Sequence, residues 1–181
     1  MLGEAADLRV GDVQELQLDH PVDVVFSSAT FHWIPDHDRL FSRLFALLRP
    51  GGRLLAQCGG RGNIGTIAHA LDRAGREAPF AEHLGGWAGP WNFAGPEETV
   101  ERLGRAGFVD VEAGLHTEPV RPDDPCEFLA TMILGAHLDR LPPALRDAFV
   151  ERIASTLPAP PVIEYIRLTM EARRPPMFGS G

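Results

Sequence analysis

Apolar positions change their spacing along this chain, and each change marks an element. From Val22 to Ser27 the run Val-Asp-Val-Val-Phe-Ser is short and β-branched, bounded by Pro21 and by small polar residues, which is the pattern of a buried parallel strand. Between Asp36 and Leu48 the spacing lengthens to a helical one, with Leu40, Phe41, Leu44, Phe45 and Leu48 on one face. Arg49-Pro50-Gly51-Gly52 stops that helix and turns into Arg53 to Cys58, a second apolar strand. The β-α-β unit so formed is expected to be right-handed and parallel, with its informative residues beyond the strand ends, from Ser27 to Trp33 and from Cys58 to Asn63.

On either side of this unit the pattern continues. Leu8 to Asp12 reads as a short strand ending in a turn, and Gln14 to His20 as a brief link. Asn63 is placed to cap a helix carrying Ile64, Ile67, Ala68, Leu71 and Ala74, running to about Ala78 and closed by Pro79. From Pro79 to Gly95 the composition shifts to Gly, Pro and aromatics, which predicts a covering loop rather than a linker. Pro96-Glu97-Glu98 starts a helix that Gly107 stops, and Phe108 to Ala113 alternates as a strand. Asp123 to Leu138 and Pro142 to Leu157 are two helical patterns, with apolar faces through Phe128, Leu129, Met132, Ile133 and Leu145, Phe149, Ile153. Val162 to Arg173 supplies the last strand. The expected organisation is one α/β domain over 1–181, with a helical pair inserted at about 123–158, before the last strand.

Composition narrows the chemistry. A net charge of −8 argues against nucleic acid and anionic membrane surfaces, which need a basic excess. Every basic side chain is Arg, so lysine-based covalent chemistry is excluded while planar forks for carboxylates remain. No apolar run is long enough to span a bilayer and no basic-then-apolar leader follows Met1, and the two cysteines, Cys58 and Cys126, suggest a reducing cytoplasm rather than a disulfide scaffold. His20, His37, His69, His116 and His137 have no H-E-x-x-H spacing and no cysteine companions, so no metal site is expected.

Five stretches carry a resemblance: Gly11-Asp12-Val13, Asp23 to Trp33, Leu48-Arg49-Pro50-Gly51-Gly52-Arg53-Leu54, Gln57-Cys58-Gly59-Gly60 and Ala106-Gly107-Phe108. Through them the chain resembles the later part of a class I S-adenosylmethionine-dependent methyltransferase, and among these most the trans-aconitate 2-methyltransferase group. The resemblance implies a Rossmann-like sheet with the cofactor S-adenosylmethionine across the strand ends. That family opens with a strand, a glycine-rich G-x-G-x-G turn and a second strand ending in a ribose-binding acid, neither of which is found here. The expectation is a sheet missing its first two strands, a truncation of roughly 60 residues at ~30 per βα unit. In the family's sheet those strands lie between the Leu8 to Gly11 strand and the Val22 to Ser27 strand.

By the same resemblance, Asp12 would accept a hydrogen bond from the adenine amino group beside the Val13 N–H, and Ser28, Ala29 and Thr30 would line the methyl-transfer channel. Without the resemblance Asp12 is an ordinary turn residue. His32 and Trp33 are the catalytic candidates, His32 as a donor to the substrate rather than a general base, since a carboxylate acceptor is already nucleophilic. Arg61, His83, Trp87 and Trp91 are the candidates for binding a polyacid under a cover, although each singly reads as a solvated Arg or a buried ring.

Two functions follow from different classes. One is methyl transfer to a small carboxylic acid such as trans-aconitate, with this chain alone weak or inactive. The other is a non-catalytic remnant serving as a binding or interaction module. In either case Val22 to Ser27, apolar on both faces, would be left as a sheet edge, to be filled by a second copy, by the Leu8 to Gly11 strand or by a separate piece.

Overall fold

The computed structural model describes residues 6–177, so the low-complexity tail at 179–181 lies outside the described residues. A four-stranded sheet in the order β1-β2-β4-β3 is formed by β1 (Val22–Ser28), β2 (Leu48–Gly59), β3 (Val109–Val120) and β4 (Ile163–Arg173). β1 and β2 are parallel and joined by α1 (His37–Leu47), while β4 is antiparallel to both its neighbours. The Arg49 to Gly52 turn is absorbed into β2, whose register against β1 shifts between Val22 and Val24. There Gly51, at φ +79°, donates its N–H to the Arg174 carbonyl at 3.0 Å, a left-handed conformation that a side chain would strain.

One face of the sheet is sealed. Asp36 caps α1 by accepting the Arg39 N–H at 2.9 Å, and this sets Leu40, Phe41 and Leu44 against Leu54, Ala56 and Cys58 of β2 and Leu168, Met170 and Ala172 of β4. α4 (Pro96–Arg105) lies beside α1 and adds Leu103 to the same core. Each such aliphatic or aromatic side chain contributes ~1.5–3 kcal/mol of burial. The opposite face is open: Phe26 is 76% exposed, and Leu55, Gln57, Glu112, Thr169 and Glu171 line a shallow groove with it.

A second core holds the elements around the strand ends. α2 (Gly65–Ala74) and α3 (Ala81–Leu84) meet the segment between β3 and β4, which consists of α5 (Pro125–Phe128), a π-helical turn (Leu129–Ile133), α6 (Gly135–Arg140) and α7 (Pro143–Ala154). Leu129, Leu134, Phe149 and Ile153 are fully buried there. Leu134 N–H donates to the Leu129 carbonyl at 2.8 Å, an i→i+5 bond that breaks the first of the two expected helices and rotates its face. Met132, expected on the apolar side, is consequently 64% exposed, and His137 is turned inward instead.

Other expectations are corrected as well. Leu8 to Asp12 forms no strand and does not fill the open edge of β1: Leu8 is 87% exposed, with none of its apolar surface buried against the sheet to support a ladder. Its Arg9 guanidinium donates to the Gln17 carbonyl at 3.3 Å, and the link that follows it is tied to α1 by Glu15, which pairs with Arg39 at 3.0 Å. Asn63 does not cap α2, whose N-cap is Ile64 at φ +49° and whose last residue is Ala74; its Oδ1 accepts the Ile166 N–H at 2.8 Å and so satisfies a strand donor. β3 continues to Val120 because β4 extends the ladder to Ile163. Among the described residues no helix is long and apolar enough to cross a membrane.

Candidate functional site

At the end of β1 the chain turns sharply. Ala29, at φ +57°, donates its N–H to the Gln57 carbonyl at 2.8 Å, and the Thr30 hydroxyl donates to the Ser28 carbonyl at 3.1 Å. A single 3-10 turn, Phe31–Trp33, then aims His32 back at β2, where its Nδ1 accepts the Gly59 N–H at 3.1 Å. Its carbonyl accepts the Asn92 N–H at 2.8 Å, tying in the covering loop. An imidazole that accepts through Nδ1 is neutral and carries its proton on Nε2. Burial drives the His32 pKa down to about 4, with the positive charges of Arg167 and His37 acting in the same direction. His32 is therefore a donor through Nε2 and a poor base.

Aromatic rings extend from this point. Trp33, 46% exposed, lies 6.0 Å from Trp91; Trp91 stacks on Phe93 at 5.6 Å and 13°; Phe93 lies 5.9 Å from His32. Gly59 allows this closeness, since a Cβ there would fall 2.7 Å from both the Phe93 ring and the Asn63 amide. Trp91 and Trp87 also meet His137 of α6, at 5.4 and 4.8 Å. Behind them is a cavity of about 640 Å³, with Leu71, Leu84, Trp87, Trp91, Phe93 and His137 among its walls. Cys58 beneath is a core residue, its thiol pushed up to about 11 by burial.

The structure thus brings together His32, Trp33, Trp87 and Trp91 of the predicted residues. Arg61 is engaged elsewhere: it pairs with Glu98 at 2.8 Å and lies 4.0 Å from Glu97, at the start of α4. Glu98 also accepts the Gly95 N–H, which, with Arg61 and Arg102, keeps its carboxyl below the usual range. His83 sits half-buried in α3 and is not part of the cavity wall. Asp12 is exposed, its Oδ1 accepting the Gln14 N–H at 2.8 Å in an Asx turn, and Asp12 and Val13 border a concavity made by their own segment with Arg9, Leu16 and Leu18. Sequence reasoning missed His137 and Phe93 as wall residues. Phe93 was signalled by the aromatic loop, whereas nothing in the periodicity marks the π turn that swings His137 inward.

The fit of S-adenosylmethionine can be tested on these residues. An acid with apolar neighbours is present at Asp12 and Val13, and small residues with a sharp turn at Ser28, Ala29 and Thr30. Among the described residues there is no strand-turn-helix unit of glycines to cradle the methionine carboxylate and no second strand-end acid for the ribose. The residues present fit one end of the cofactor and do not fit the whole of it.

Comparison with known proteins agrees with this architecture. The family model for a methyltransferase domain (Methyltransf_11) matches residues 2–56. The trans-aconitate 2-methyltransferase of Deinococcus radiodurans is 37% identical over 116 residues, 61% of this chain and 43% of the relative. That of Variovorax paradoxus is 43% identical over 68 residues, 37% of this chain and 26% of the relative. The chain accordingly spans less than half the length of these two relatives. Among solved structures, the YcgJ protein of Bacillus subtilis superimposes with a TM-score of 0.54 over 92% of this chain and 70% of that one, at 13% identity, a likeness of fold alone. By sequence, the chain is related to the class I S-adenosylmethionine-dependent methyltransferases, near the trans-aconitate 2-methyltransferase group.

Proposed function

We propose that this chain carries the acceptor side of S-adenosylmethionine-dependent methyl transfer to a small carboxylic acid, trans-aconitate being the acceptor named for its relatives. We further propose that the 181-residue polypeptide by itself holds the cofactor weakly and transfers little or no methyl. The observation that carries the reading is the His32 to Gly59 hydrogen bond set against the wall of Trp33, Trp91 and Phe93. A carboxylate needs alignment and exclusion of water rather than a base, and a neutral imidazole presenting Nε2–H among rings supplies both. S-adenosylmethionine, when bound, supplies the methyl group as a sulfonium, for which ring faces are worth ~0.5–2 kcal/mol.

All three tryptophans of the chain lie in this region, so intrinsic fluorescence reports on it without a label. Titration with small carboxylic acids should give a saturable change, with the corresponding methyl esters at least tenfold weaker. Equal responses to acid and ester, or no saturation with any acid, would remove the reading. A second reading, a non-catalytic binding module, is favoured by the incomplete cofactor set, and it predicts acid binding of unchanged strength whether or not S-adenosylhomocysteine is present. We also infer that the free edge of β1 pairs with a second copy, in a reducing cytoplasm where Cys58 and Cys126 remain thiols.

A further inference from the structure

Resting on that reading, we propose that the cavity behind Trp91 takes a flat, conjugated or aromatic monocarboxylic acid. Its π face lies against Trp87 and Trp91, one carboxylate oxygen is bound by His137, and its single charge is answered by Arg140. The cavity's volume of about 640 Å³ lies within the ~300–1,000 Å³ of small-molecule sites.

His137 is the residue that points to a ligand. It is 5% exposed, yet neither ring nitrogen has a hydrogen-bond partner among the described residues, and Nδ1 is sealed from solvent. One buried nitrogen must be left with a lone pair or with an N–H. An orphaned N–H is the rarer outcome, and the ring edges of neighbouring aromatics carry the partial positive charge that suits a lone pair. The proton therefore belongs on Nε2, the nitrogen on the side of the ring away from the seal. The cavity wall thus offers one N–H donor among rings, which calls for an acceptor-only oxygen on the ligand.

The charge count separates this ligand from a polyacid. Arg140 lies across the Trp87 ring at 4.5 Å and has no acidic partner among the described residues. Arg76, on the cavity wall, is already paired with Asp72 at 2.7 Å, and Arg61 with Glu98 at 2.8 Å. Of these three guanidiniums only that of Arg140, held across Trp87 just outside the cavity walls, is uncompensated, one positive charge for one carboxylate. A tricarboxylate would bring two further charges against Asp72 and apolar ring faces, where nothing replaces their hydration.

Calorimetric titration of the 181-residue chain, without cofactor, with trans-cinnamate, cinnamyl alcohol and trans-aconitate decides the matter. Cinnamate is expected to bind at least tenfold more tightly than either of the others. Arg140→Gln, at an exposed position, should weaken cinnamate about tenfold and leave the alcohol unchanged, whereas His137→Phe, which keeps the ring stacking, should weaken both. Aconitate binding as tightly as cinnamate, an Arg140→Gln loss shared equally by acid and alcohol, or no binding of cinnamate would overturn the proposal. Because His32 is not among the cavity walls, cinnamate binding that is unchanged in His32→Phe would sink the functional reading and leave this site standing.

Discussion

His32 and His137 are buried neutral imidazoles with pKa values near 4, and His37, whose Nε2–H is held by the Phe31 carbonyl at 2.9 Å, is lowered by the same desolvation. In the unfolded chain each takes up a proton near pH 6.5, so below that pH the unfolded state binds more protons than the native one. The stabilisation is complete above pH 6.5 and is lost as pH falls toward about 4. The expected cost at the lower end is on the order of 2–3 kcal/mol each for His32 and His137. Urea unfolding midpoints at pH 7 and pH 4.5 should differ accordingly, and His137→Phe should remove part of the difference; midpoints that coincide would contradict these assignments. Asn63 provides a second residue-scale check. Asn63→Ala leaves the half-buried Ile166 N–H without its acceptor and should cost about 1–3 kcal/mol in the same experiment, whereas loss of an ordinary helix cap would show as lowered helix content in α2.

β1, like β3, is an edge strand paired on one side only, and its Val24 and Phe26 are 47% and 76% exposed on the open face. If a second copy pairs along this edge, sedimentation should show a concentration-dependent dimer, and Phe26→Glu should shift it to monomer while leaving α1 and the sealed core intact. Monomer at all concentrations with rapid amide exchange in β1 would count against the pairing. The strands and helices around this element were legible because their signals are local: β-branched runs, a 3.6-residue stripe in α1, and Pro and Gly at the boundaries. Leu8 to Asp12 carried the same local signal without becoming a strand, since a strand exists only through its neighbours. The Leu129–Ile133 turn was illegible for another reason: one extra residue in the coil changes the phase of everything after it, and no residue type marks the insertion. Hence the periodicity places Met132 inward and leaves His137 unmarked, while His32 and Trp33, just after the end of β1, are singled out through the resemblance, and Trp87 and Trp91 through the aromatic composition of the covering loop.

At the scale of the whole molecule, one sheet face and one set of strand ends are finished, and the other face is bare. The finished side holds the cavity proposed for the acceptor, and among the described residues the supports proposed for the cofactor are Asp12, Val13 and the Ser28 to Thr30 turn. Lacking charge-assisted hydrogen bonds of ~1.5–3 kcal/mol each at the methionine and ribose ends, a micromolar cofactor site falls to millimolar or weaker, at tenfold per ~1.4 kcal/mol. Calorimetric titration of the purified 181-residue chain with S-adenosylhomocysteine tests this most directly. A dissociation constant in the millimolar range or beyond is the predicted result; a low-micromolar one would contradict the account, and would mean that another segment, such as Gly59 to Asn63, supplies the missing donors.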